Sequence, residues 1–198
     1  MLDTLDQVMG DVMQRLTAGA KDRRSNMHTP VVATSDADVR VMVLRAFDEA
    51  AMTLRFHTDA RSPKIAAADG RAVGVLLYDK EAKVQIRARG MGRIETDGPV
   101  ADAAWAASTN YAQRCYLAQA APGDASVEGV SGLPDWAEGV NPSDEQVAPA
   151  RANFAVLLVQ LERLDWLYLA NSGHRRAVFT GGEGAGGAKA WKGQWVVP

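Results

Sequence analysis

Apolar positions near the start of the chain recur at steps of three and four, at Leu2, Leu5, Val8, Met9, Val12, Met13 and Leu16. That spacing gathers them on one stripe of an amphipathic helix, expected over residues 1–20 and ending at Gly19 and the polar run 21–26. The stripe is expected to pack against the chain's own sheet. From residue 30 the period changes to two. Strands are expected at 30–34, 39–47, 52–58, 72–78 and 83–94, separated by turns rich in Asp, Ser, Ala and Gly. In the 39–47 segment Arg40, Met42 and Leu44 share one face, and Val41, Val43 and Arg45 the other. Both faces are partly apolar, as in a barrel strand covered outside by a helix or a second subunit. In 83–94, Gln85, Arg87 and Arg89 alternate with Ile86 and Ala88, so three polar side chains project from one side.

Between these strands, Ser62 reads as an N-cap with Pro63 at the first helical position, opening a short helix through Ala68 that Gly70 ends. Residues 99–120 are mostly good helix formers, with Trp105 and Tyr116 as large anchors. The segment 122–149 is rich in Gly, Pro, Ser and Asp and reads as a long loop, a kind that is often functional or mobile. Three more strands follow at 154–170, 174–180 and 191–197. The glycine-rich run 181–187 between the last two lacks the lysine–hydroxyl ending of a phosphate loop, and a flexible hairpin connection is expected there. Many strands with a few helices at the margins give a small barrel, α+β overall, in one domain spanning 1–198.

Composition narrows the function classes. Of 198 residues, 47% are hydrophobic and 23% charged, which is ordinary for a globular protein, and the formal net charge of −2 argues against a broad nucleic-acid-binding face. No apolar run approaches a membrane span, and the first residues lack the basic-then-apolar pattern of a secretory signal, so a cytoplasmic protein is expected. The single cysteine, Cys115, is expected to be a small buried side chain on a helix, and no Cys/His spacing suits a metal.

Against this mildly acidic background the segment from Arg40 to Arg89 concentrates donors: Arg40, Arg45, Thr58, Arg61, Ser62 and Lys64, followed by Gln85, Arg87 and Arg89. A phosphate monoester needs several charge-assisted donors converging on its oxygens. Arg40 offers a planar fork, Lys64 a point charge, and Thr58 and Ser62 hydroxyls, with Ser62 and Lys64 at the free amides of the first turn of the Pro63 helix. Each residue alone reads more readily as a solvated surface charge or a helix cap. As a set, in order on neighbouring strands, they read as an anion site for a small phosphorylated ligand.

The order of these residues resembles the pyridoxamine 5′-phosphate oxidase-like flavoproteins. The matching segments are Arg40-Val41-Met42-Val43-Leu44-Arg45, Phe56-His57-Thr58-Asp59-Ala60-Arg61-Ser62-Pro63-Lys64 and Gln85-Ile86-Arg87-Ala88-Arg89-Gly90, with Trp166, Ser172-Gly173-His174-Arg175-Arg176 and Trp195-Val196-Val197-Pro198 near the C-terminus. The resemblance implies a six-stranded antiparallel split β-barrel and an FMN held at the interface of a homodimer. It assigns the phosphate to Arg40, Ser62 and Lys64, the cofactor lining to Val41, Val43, Arg45, His57 and Thr58, and the isoalloxazine edge to Gln85. Arg176 would contact the flavin, from the partner subunit. His174 reads either as a proton donor on the substrate side of the flavin or as a hydrogen-bonding residue at a strand end. His57 stands where the family has a tyrosine and would add a group titrating near neutrality.

The departures fall on the substrate side. Arg45 replaces the lysine that touches pyridoxal phosphate, Ser172 stands in place of a substrate-holding arginine, and the family's Tyr…Arg…Ser clamp has only Tyr111 and Arg114 as stand-ins. The resemblance therefore implies an FMN-dependent oxidoreductase with an unassigned small-molecule substrate, or else a flavin-binding carrier or sensor without turnover. The deazaflavin F420, used by related split barrels, is the other cofactor to weigh. No metal, nucleic acid or membrane enters this expectation.

Overall fold

In the computed structural model, which describes residues 2–183 and 189–198, the chain begins with a capped helix. The Thr4 hydroxyl accepts from the Gln7 amide while the Gln7 side chain accepts from the Thr4 amide, a reciprocal box that fixes the start of α1 (Leu5–Lys21). The apolar stripe buries Val8, Val12 and Leu16 against the sheet, as the spacing predicts.

Among the described residues, nine strands form one antiparallel sheet. They are β1 (Val31–Ala33), β2 (Val39–Val41), β3 (Ala46–Asp48), β4 (Thr53–Asp59), β5 (Ala72–Asp79), β6 (Val84–Glu95), β7 (Phe154–Tyr168), β8 (Arg175–Glu183) and β9 (Lys189–Val196). Their order is β2-β1-β5-β6-β7-β4-β3, with β8 pairing β7 and β9 pairing β8. The sheet is not closed by a strand pair, as befits a split barrel, so the α+β split-barrel class holds with more strands than the six of the expectation. The 15-residue β7 makes the split. Its first half pairs β4 from Phe154 to Gln160, its second half pairs β8 from Arg163 to Tyr168, and β6 runs along both.

One predicted strand divides. The 39–47 segment becomes β2 and β3, and between them the backbone changes partners. Met42 and Leu44 donate to the carbonyls of Pro30 and His28, whereas Arg45 donates to Arg55. An extended chain passing from one sheet edge to the other cannot keep one ladder, so alternation survives while the strand does not. The core lies inside the curve, with Leu44, Leu54, Phe56, Leu77, Ile86, Leu161 and Leu164 fully buried.

Two glycines permit the close approach of β6 to its neighbours. A Cβ on Gly90 would lie 2.0 Å from the Gln160 carbonyl oxygen, and one on Gly92 2.2 Å from that of Ala68. Gly90 also marks the register shift between β6 and β7.

The helices at the margin are α2 (Lys64–Ala68), α3 (Gly98–Ala106), α4 (Asn110–Gln113) and α5 (Asp144–Val147). Trp105 and Tyr116 pack edge-on to Phe154, so both expected anchors hold. Three local expectations change. Ser62 makes no side-chain cap for α2; its hydroxyl is taken by Lys64 instead. Cys115 is exposed on a 3-10 turn at 114–117 rather than buried. The 122–149 segment is not structureless, since it holds a 3-10 turn at 135–137 and α5, whose Ser143 and Gln146 form a second capping box. β8 and β9 pair as a hairpin up to Glu183 and Lys189, but the glycine-rich connection expected at 181–187 lies mostly outside the described residues.

Candidate functional site

Four elements meet around a cavity of about 660 Å³. The β2 strand and the residues after it give Arg40, Val41, Met42, Val43 and Arg45; β4 gives His57, Thr58 and Asp59; α2 gives Lys64; and the segment 115–132 closes the far side. That volume is in the range of small-molecule sites.

The donors converge at one end. Lys64 Nζ donates to Ser62 Oγ at 2.7 Å and to Thr58 Oγ1 at 3.3 Å, and both hydroxyls are buried. Among the described residues no carboxylate lies within ion-pair reach of this ammonium, although acids stand nearby. Burial lowers the Lys64 pKa, and the adjacent Arg40 guanidinium lowers it further, with Asp59 and Asp38 offsetting part of the effect. A half-buried ammonium held beside a second cation and coordinated only by neutral hydroxyls is short of an anion.

Arg40 is oriented rather than free: it donates to Thr34 Oγ1 at 2.8 Å and pairs with Asp38 across the turn after β1. Arg61, which the sequence placed among the same donors, has a different task. Its guanidinium grips Asp59 through Nε (3.0 Å) and Nη2 (2.7 Å) and donates to the Ala118 carbonyl at 2.9 Å. It pins the distal wall to β4 and leaves Lys64 as the uncompensated charge. The link was invisible in sequence because Asp59 and Ala118 are far apart in the chain.

His57 lines the cavity and packs edge-on to Phe154 with ring centroids 4.9 Å apart. It does not titrate near neutrality as expected. Burial, reinforced by the charges of Arg45 and Arg55, pushes its pKa down to about 3, so the ring is neutral.

The remaining expected residues lie elsewhere in the single chain. Gln85 projects from the outer sheet face, where it stands opposite Leu167 on β7, which in turn stands opposite Arg176 on β8. Arg176 lines a separate cavity with Arg87, Arg89, Arg163 and Asp165, and is held by Asp165 at 2.7 and 2.9 Å. His174 lies with Arg175, Trp195 and Pro198 at the C-terminal edge and is exposed. Within one protomer the structure therefore brings together Arg40, Val41, Val43, Arg45, His57, Thr58, Ser62 and Lys64, and leaves Gln85, His174 and Arg176 outside.

Over residues 11–96, from α1 to the end of β6, the sequence matches the model of the family described as pyridoxamine 5′-phosphate oxidase, FMN-binding domain. Residues 11–96 thus resemble the FMN-binding domain of this oxidase-related family. Every residue of the donor cluster falls within the matched span. Among solved structures, a pyridoxamine 5′-phosphate oxidase-related, FMN-binding protein from Nostoc punctiforme PCC 73102 superposes with a TM-score of 0.68 at 20% identity over 100% of both chains. PhzG from Burkholderia lata 383, solved with tetrahydrophenazine-1-carboxylic acid, gives 0.64 at 18% identity over 96% of this chain and 92% of that one. A general stress family protein from Xanthomonas campestris pv. campestris gives 0.52 at 12% identity, covering 86% and 92%. At these identities the likeness establishes the fold alone. No curated protein matches the sequence.

Among the described residues, no helix is long and apolar enough to cross a membrane, and no cluster of His, Cys, Asp or Glu has metal-binding geometry.

Proposed function

We propose that the chain is an FMN-binding flavoprotein of the oxidase-related type, acting as an oxidoreductase on a small molecule. The observation that carries this reading is the anion-poor end of the cavity, where Lys64, Ser62, Thr58 and Arg40 converge within the family's FMN-binding domain. Those four groups would hold the terminal phosphate. Val41, Val43, Arg45 and His57 would line the rest of the cofactor. Bound there, FMN would supply reversible hydride acceptance, and the chain's part is to hold it and keep water out.

The reading extends to a homodimer. The outer sheet face exposes Val39, Val41, Leu76, Tyr78 and Met91 alongside Gln85, an apolar stripe that a second copy would cover. The β2 strand borders both this face and the cofactor cavity: Val39 and Val41 are exposed on the face, and Arg40 and Val41 also line the cavity. A partner packed on the stripe would bring its own Gln85, Arg176 and His174 toward the first chain's cavity.

A second reading is favoured by the exposed, edge-lying His174. If no partner brings it to the flavin, the protein binds the cofactor as a carrier or sensor without turnover. The purified protein tests the main reading. It is expected to be yellow, to release a compound of FMN's mass on denaturation, and to sediment as a dimer. A colourless protein that gains no stability from FMN contradicts the assignment, and release of F420 would move it to the deazaflavin.

A further inference from the structure

The wall that closes the cavity opposite β4 is an Ω-loop. The Gln119 amide donates to the Gly132 carbonyl at 2.9 Å, so the two ends of the segment between them meet. The stretch 122–131 is exposed throughout and buries no apolar side chain, yet Pro122, Gly123, Asp124, Ala125 and Ser126 line the cavity. Among the described residues, the only side-chain hydrogen bonds that tie 118–132 to β4, α2 or the turn between them come from Arg61. Its Nη1 donates to the Ala118 carbonyl at 2.9 Å and to the Gln119 carbonyl at 3.3 Å. Gly123, with φ +99°, touches Pro63 just before α2: a Cβ there would lie 3.8 Å from Pro63 Cγ.

The same guanidinium masks charge. The carboxylates lining the cavity are Asp59 and Asp124. Asp59 follows Thr58 on β4 and is only 8% exposed, so its free charge would oppose a phosphate bound at Lys64. Arg61 engages both of its oxygens, through Nε at 3.0 Å and Nη2 at 2.7 Å, and its backbone amide adds a bond of 2.8 Å. Hydrogen bonding to Asp59 raises the Arg61 pKa, and the charges of Asp59 and Asp124 add to it. Ser62 is the next residue and Lys64 lies just beyond, so this clasp and the phosphate donors share one turn.

We propose that Arg61 is a positioning residue that sets cofactor specificity. It pins the Ω-loop across the phosphate end of the cavity and neutralises Asp59. The site thereby takes a flavin that ends in a phosphomonoester and rejects one whose phosphate continues into a nucleotide. The proposal rests on the flavin reading of the cavity and adds the form of flavin it accepts. A dianionic phosphate at Lys64 meets a paired carboxylate rather than a free one. A diester continuing past Lys64 runs into the backbone of the loop, where Gly123 touches Pro63 and Arg61 holds Ala118. A loop with so little buried surface opens once its anchor is lost.

The test titrates the flavin-free full chain with FMN, riboflavin and FAD, read by fluorescence quenching. The wild-type protein is expected to bind FMN about a hundredfold more tightly than FAD. Arg61→Met is expected to lose about tenfold in FMN affinity, to keep its riboflavin affinity, and to bind FMN and FAD within about threefold of each other. Arg61→Met combined with Asp59→Asn is expected to regain FMN affinity without regaining discrimination against FAD. A general loss of stability would not give that split. Should Arg61→Met fail to fold, Gly123→Val lifts the loop and leaves the clasp on Asp59. It is expected to admit FAD while keeping the preference for FMN over riboflavin. Equal wild-type affinity for FMN and FAD, or a parallel loss of all three flavins in the variants, overturns the proposal and leaves the flavin reading standing. Binding of none of the three sinks the flavin reading and the proposal with it.

Discussion

The Lys64 ammonium lies 2.7 Å from the Ser62 hydroxyl, and among the described residues that serine and Thr58 are its only side-chain partners. An ion pair would have stabilised Lys64 without a ligand; two hydroxyls orient it and leave its charge available. The variant Lys64→Met separates these roles. FMN affinity should fall by roughly tenfold to a hundredfold, the worth of a charge-assisted contact. The ligand-free protein should be no less stable, because the charge is desolvated and repelled by Arg40. Fluorescence titration and thermal unfolding of the same sample check both halves.

His57 makes the acid response of the fold specific. Its pKa is near 3 in the folded chain and about 6.5 when unfolded, so the unfolded state binds the proton first. Its contribution to stability is complete above about pH 6.5 and is lost as pH falls from there toward 3. In proton-detected titration the imidazole should show no midpoint between pH 5 and 8, and His57→Gln should flatten the loss of stability over that acid range. A midpoint near 6.5 would place the ring in solvent.

Asp165 works in the opposite chemical sense and a lower pH window. Burial alone would raise its pKa, but hydrogen bonds from Arg176 and the charge of Arg87 outweigh that and hold it below the usual carboxylate range. Its stabilisation is present above about pH 3.9 and is lost as pH falls through the folded value. Only 5% of Asp165 is exposed, and it joins β6, β7 and β8 through two arginines. Asp165→Asn should cost about 2 kcal/mol near neutrality, less than a fully buried pair because both arginines reach solvent. Denaturant unfolding at several pH values reads both effects.

Gly90 is a purely steric case. A methyl group there meets backbone, not a movable side chain, so Gly90→Ala must open the β6–β7 pairing at its register shift. The expected loss is about 3 kcal/mol or more, beyond ordinary overpacking, with soluble yield reduced. Gly10→Ala, where a Cβ meets nothing, is the control and should be neutral or stabilising.

What the sequence revealed follows from what is local. The α1 stripe, the alternation in β6 and the length of β7 are written in neighbouring residues, and all three stand. The donor cluster around Lys64 was legible because its residues come from adjacent segments joined by short turns. Arg61 was misjudged because its carboxylate and its carbonyl partner determine its role, and Ala118 is brought to it only by folding. Cys115 was misplaced because a 3-10 turn breaks the helical period that would have buried it.

The central claim is that this cavity recognises a terminal phosphate on a flavin. It is tested most directly by titrating the flavin-free protein with FMN and with riboflavin, which differ only in that phosphate. The account predicts one FMN per chain and riboflavin binding weaker by about tenfold or more, with the gap closing in Lys64→Met. Equal affinity for the two flavins, or for neither, would contradict it.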